Sequence, residues 1–134
     1  MVSVMKERRQ HLPKPTEVEL ELLRALWEKG SASVRVLHEV VSHQRPLGYT
    51  SVLKTLQIMT EKGLVERTEA GKAHIYRAAA SQEETQNQLL RDLSERLFSG
   101  SAAQLAMHAL SMQPASEEEL EEIRKIIRQK REKQ

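Results

Sequence analysis

The side chains that could do chemistry in this 134-residue sequence fall into few groups, and most of them fail the spacing their chemistry needs. His38-Glu39-Val40-Val41-Ser42-His43 has the look of a zinc-protease helix, but the histidines are at i and i+5. On a helix of about 3.6 residues per turn they stand about 140° apart, so they do not share a metal. His11, His74 and His108 are scattered, and no metal site is expected from them. Gly71-Lys72 is followed by Ala73 rather than Ser or Thr, and Glu66 stands where a phosphate loop would need glycine. Asp92 is the sole aspartate, which leaves a Ser-His-Asp triad without a natural third member. There is no cysteine, hence no disulfide, thiolate metal site or thiol nucleophile. The glutamates lie at helix starts and on helix faces, where they cap and solvate. An enzyme is not expected, nor a cofactor.

One constellation survives. Ser51, Lys54, Thr55 and Ile58 recur at i, i+3, i+4 and i+7, with Tyr49 and Thr50 just before them. On a helix they share a side that is short-polar, singly basic and free of carboxylate until Glu61. Hydroxyls can pair with base edges or phosphates, lysine reaches guanine or phosphate, and a branched methyl meets the thymine methyl. The start of such a helix adds backbone N–H groups suited to phosphate. Arg67, Lys72 and His74, with Arg77 nearby, supply a second cluster that suits a DNA backbone or minor groove.

The elements that must position these groups follow from pattern. Residues 1–15 read as a flexible basic arm, with Pro13 and Pro15 keeping Lys14 extended. Thr16 with Glu19 is a capping-box signature, and Leu20, Leu23 and Trp27 recur at helical spacing until Gly30. After the short link Ser31-Ala32, Ser33 caps a second helix to about Ser42. Pro46 and Gly48 break the chain before a third helix, Tyr49 to Lys62, with Val52, Leu56 and Met59 inward. Leu64–Thr68 and Ala73–Ala78 read as a β-hairpin, with Gly71 supplying positive φ in the connection Glu69-Ala70-Gly71-Lys72. This order is that of a winged helix-turn-helix over residues 16–80.

Residues 81–134 read as helices throughout. Leu89, Leu90, Leu93 and Leu97 form a stripe ending near Gly100. Leu105 and Leu110 mark a short helix ended by Pro114, and Leu120, Ile123 and Ile127 line a last helix opened by Ser116 and Glu119. So short a segment buries little by itself, and a second copy is the economical cover. The expected fold is therefore mainly α with a small β-hairpin wing, followed by a helical dimerisation domain.

Charge divides along these lines. The total is +2, but residues 30–80 carry seven basic against four acidic side chains, while residues 81–134 carry eight against ten. A basic reading head and an acidic tail suit a polyanion partner for the first half. No apolar run approaches the ~20 residues that span a bilayer, so membrane insertion is not expected. The absence of cysteine fits a reducing, cytoplasmic setting.

Four segments in order carry a resemblance. They are Glu19-Leu20-Glu21-Leu22-Leu23-Arg24-Ala25-Leu26-Trp27, Tyr49-Thr50-Ser51-Val52-Leu53-Lys54-Thr55-Leu56, Glu61-Lys62-Gly63-Leu64-Val65 and Gly71-Lys72-Ala73-His74-Ile75-Tyr76. Together they resemble the penicillinase-repressor (BlaI/MecI-type) regulators over about residues 16–80, with the tail similar in helix pattern. The resemblance implies a homodimeric repressor whose winged helices each read half of a pseudo-palindromic operator in double-stranded DNA. It implies base or phosphate contacts from Thr50, Ser51 and Lys54, and a wing contact from Lys72. Ile58 stands where the family often has arginine, and Ser51 where it often has threonine. The resemblance also brings in a membrane sensor protease whose signal leads to cleavage in the C-terminal part. The matched position, His108-Ala109, lacks the Asn-Phe pair of those members. Without cysteine, the copper-responsive branch of the family is excluded in its thiolate form. The competing reading for the whole chain is a winged-helix adaptor that contacts only protein.

Overall fold

The computed structural model describes residues 14–133, so the expected basic arm lies, but for its last two residues, outside the described residues. Two units separate along the chain, residues 1–90 and 91–134, and the division falls inside a helix.

The first unit runs α1 (Glu17–Lys29), β1 (Ala32–Ser33), α2 (Val34–Ser42), α3 (Tyr49–Lys62), β2 (Val65–Ala70) and β3 (Ala73–Ala78), then the start of α4 (Gln82–Leu97). The start of α1 is the capping box expected there. Thr16 N–H donates to Glu19 Oε1 at 2.8 Å, and Glu19 N–H donates to Thr16 Oγ1 at 3.2 Å. Ser33 Oγ caps α2 by accepting from Val36 N–H. Leu22, Leu23 and Leu26 of α1 meet Leu37 and Val41 of α2 and Val52, Leu56 and Met59 of α3 in one core. Burying such a side chain fully is worth about 1.5–3 kcal/mol, so these eight residues hold the three helices in a fixed arrangement.

The strands form an antiparallel sheet in the order β1-β3-β2. Tyr76 is fully buried, with Ala32 opposite it on one side and Arg67 on the other. Two features differ from the sequence expectation. The link Ser31-Ala32 contributes to a third strand, because Ala32 and Ser33 pair with Tyr76 and Ile75. A two-residue strand has no periodicity of its own and exists only through its partner. The hairpin is also tighter. β2 continues to Ala70 and only Gly71-Lys72 turn the chain, with Gly71 at φ 66.

The second unit holds the rest of α4, then α5 (Ala102–Met112) and α6 (Glu117–Glu132). Ser101 and Ser116 cap the latter two by accepting from Gln104 and Glu119 N–H. The Phe98 ring lies against His108, centroids 5.2 Å apart. Neither α5 nor α6 buries a single residue.

Candidate nucleic-acid interface

The start of α3 is open. Its cap is Gly48, which has no side chain to satisfy the first N–H groups, and its first turn holds no acid. Unpaired N–H groups at the positive end of a helix dipole suit an incoming anion. Tyr49 is exposed there, and the His38 ring meets it edge-on at 5.9 Å and 77°. His38 in turn donates its Nε2 proton to the Leu47 carbonyl at 2.9 Å. The histidine considered above as a metal ligand is thus a prop for the loop that leads into α3.

Val52, Leu56 and Met59 are fully buried, which fixes the rotation of α3. Thr50, Ser51, Lys54, Gln57, Ile58 and Glu61 are exposed. At 100° per residue, Thr50, Lys54, Gln57 and Glu61 form the centre of the outward face, flanked by Ser51 and Ile58. Thr55 turns partly inward. It is half-buried, and its hydroxyl donates to the Ser51 carbonyl at 2.8 Å, which leaves only its lone pairs for a ligand. Gln57 was missing from the sequence constellation. The same angular arithmetic finds it, one turn beyond Lys54. Its amide can pair twice with adenine.

The hairpin sorts its residues by register. Arg67 pairs across from Tyr76, and Glu69 across from His74, on one face. Glu66 pairs across from Arg77 on the other face, and Arg77 donates to Glu66 Oε2 at 3.0 and 2.8 Å. His74 Nε2 lies 3.9 Å from Glu69. Among the described residues, Arg67 at mid-strand and Lys72 at the turn make no ion pair, so they are the cations this hairpin offers.

The cations around α3 divide the same way. Lys54 makes no ion pair among the described residues. Arg45, before the helix, donates to Glu21 at 2.7 Å, and Lys62, at its end, donates to Glu19 at 3.1 and 3.0 Å. The Glu19 carboxyl, 2% exposed as a residue, is pushed up by burial. The bond from Thr16 N–H and the Lys62 ammonium outweigh that push and hold it below its ordinary value.

In the second unit the apolar stripes stand largely uncovered. Leu93, Leu97, Leu110 and Ile127 are exposed, as are Met107, Met112 and Ile126; Leu97 is 67% exposed and Met112 78%. Leu105, Leu120 and Ile123 are half-buried. In α4, Leu89 is half-buried and Leu90 exposed, both within the first unit. So much open leucine, isoleucine and methionine is uncommon on a surface left to water.

Among the described residues no group of His, Asp or Glu is placed to hold a metal ion, and no helix is long and apolar enough to cross a membrane.

Comparison with known proteins bears on the family and the fold. The penicillinase repressor family profile matches residues 15–129. The transcriptional regulator BlaI of Mycobacterium tuberculosis (strain CDC 1551 / Oshkosh) is 30% identical over 103 residues, which cover 75% of this chain and 75% of that protein. The methicillin resistance regulatory protein MecI of Mammaliicoccus sciuri is 20% identical over 115 residues, 86% of this chain and 94% of that one. The solution structure of the DNA binding domain of the repressor BlaI superposes with a TM-score of 0.50 at 16% identity, over 55% of this chain and 90% of that one. At that identity the likeness speaks for the winged-helix fold.

Proposed function

The chain belongs to the penicillinase repressor family, and from that premise we propose that it is a homodimeric DNA-binding repressor of transcription that reads a pseudo-palindromic operator. The observation that carries this reading is the outward face of α3, where Thr50, Ser51, Lys54, Gln57 and Ile58 stand exposed on a helix locked by its core face.

In this reading α3 lies in the major groove. The uncapped N–H groups at Tyr49 and Thr50 receive a phosphate, which sets the depth of the helix. Lys54 and Gln57 then reach base edges, and Ile58 supplies an apolar contact for a thymine methyl. Lys72 and Arg67 track the backbone beside the groove, with His74 near the turn. Thr55 acts by bracing the helix start through Ser51.

A single head with one free cation on its helix binds weakly. Two heads joined by their tails bind both half-sites at once, and the second contact becomes intramolecular. The exposed stripes of Leu93, Leu97, Leu110 and Ile127 support a second copy of this chain as their cover. The proposal includes no catalysis, a cytoplasmic site of action, and regulation by a membrane sensor protease. A neighbouring reading frame that encodes such a protease would support the last point.

A competition gel shift on the chain's own upstream region tests the reading. Retardation that resists random competitor and weakens as salt rises is expected. Absence of any specific shift at low salt contradicts it.

A further inference from the structure

Three cations lie on or beside α3, yet its outward face carries only Lys54. The other two are drawn back onto α1. Lys62 Nζ, at the end of α3, lies 3.1 and 3.0 Å from the two carboxylate oxygens of Glu19. Arg45 Nη2, in the turn before α3, donates to Glu21 Oε1 at 2.7 Å and lies 3.5 Å from Glu17 Oε1. Along α1, Glu17 and Glu21 share one side and Glu19 faces the opposite side, at 100° per residue. The first turns of α1 are therefore gripped from one side by the end of α3 and from the other by the turn that leads into it.

These pairs are poor devices for stability alone. Glu21 Oε2 and Arg45 Nε are buried without partners. Burying charge costs desolvation, and replacing such a pair with apolar residues is often neutral or stabilising. What the pairs do supply is direction. The buried Val52, Leu56 and Met59 fix the rotation of α3 about its own axis, and the two short ion pairs, one at its end and one in the turn before it, fix its pitch on α1.

We propose that Glu19 and Glu21 are positioning residues for operator reading. Through Lys62 and Arg45 they hold α3 at the pitch that brings Thr50, Lys54 and Gln57 into register with the bases. They also withhold two cations from the phosphates, so that affinity depends on fit more than on charge. This inference rests on the DNA-binding reading above.

The test measures binding of the full chain to its own upstream duplex and to a random duplex of equal length, across a range of salt. Wild type, Glu19→Gln, Lys62→Met, their double variant and Arg45→Met are compared at a temperature where circular dichroism shows each folded. Each single variant is expected to lose about tenfold on the upstream duplex and little on the random one, with the double no weaker than the singles. The salt slope stays unchanged for Lys62→Met and Arg45→Met, which lose no phosphate contact, and steepens for Glu19→Gln, which frees Lys62 for one. Arg45→Met probes the other end independently, should the Glu19 variants fail to fold. A slope shallower by about one for Lys62→Met places that lysine on a phosphate and overturns the proposal. Folded variants with wild-type affinity overturn it too, since the pairs then serve the fold alone. Failure of the wild type to prefer its upstream duplex refutes the DNA-binding reading itself, before any variant is compared.

Discussion

The indole Nε1–H of Trp27 donates to the carbonyl of Ala80 at 2.9 Å, which ties the last turn of α1 to the segment between the hairpin and α4. The bond spans 53 positions of sequence. Both residues line an open cleft together with Leu26, Gly30, Glu66 and Arg77. Trp27→Phe keeps an aromatic ring while removing the donor and part of the indole's bulk. The expected loss is about 1 kcal/mol of unfolding free energy, read from the denaturant midpoint, with faster proteolysis near Ala79 and Ala80. An unchanged midpoint would show that the bond contributes nothing net.

Acid should loosen the first unit through Glu19. Its carboxyl in the folded chain lies below the ordinary value of 4.5, because the Thr16 and Lys62 bonds outweigh the opposing effect of burial. A depressed carboxyl contributes stability that is present above its unfolded value and is lost as pH falls through its folded value. Stability should therefore decline below about pH 4.5, and Glu19→Gln should flatten that limb. Glu119, held down by its bonds with Ser116, acts in the same direction in the second unit. Equal acid limbs for wild type and Glu19→Gln would contradict the assignment.

Base reading should be separable from phosphate binding on α3. Lys54→Ala is expected to cost about 1–3 kcal/mol and to relax preference at one operator position if the lysine pairs with guanine. Gln57→Ala should relax preference at a neighbouring position with little change in the salt slope. Selection from randomised duplexes reads both. A uniform loss across all sequences would move Lys54 to the backbone.

The tail should behave as a dimer seam. Leu93 and Ile127 are exposed in the single chain, so an aspartate at either position costs an isolated monomer little. In a dimer the same charge is buried. Leu93→Asp and Ile127→Asp are expected to shift sedimentation towards a monomer and to weaken operator binding with it. A wild-type oligomer in both variants would remove the tail from the interface.

What could be read from sequence was local. Capping boxes at Thr16 and Ser116, the glycine stop at Gly30 and the turn at Gly71 each depend on residues a few positions apart, and each appears in the structure. The third helix spans Tyr49–Lys62, as its periodicity indicates. The missing parts are those created by distant partners. β1 exists because Tyr76 lies beside Ala32, and the Arg45 and Lys62 pairs join residues 24 and 43 positions apart. Arg77 stands beside Lys72 in the basic cluster that the sequence puts on the hairpin, and their partners distinguish them: Arg77 is paired with Glu66, while Lys72 makes no ion pair among the described residues. Gln57 falls outside the i, i+4 stripe drawn from Ser51, which leads to Thr55 instead, and its exposure follows only once the core face of the helix is known.

The most direct measurement is a footprint of the chain on its own upstream DNA. Two protected half-sites on one face of the duplex are predicted, with centres about 10 base pairs or a multiple of that apart. Leu93→Asp should erase both together. No protection, or one half-site alone that survives Leu93→Asp unchanged, would contradict the account.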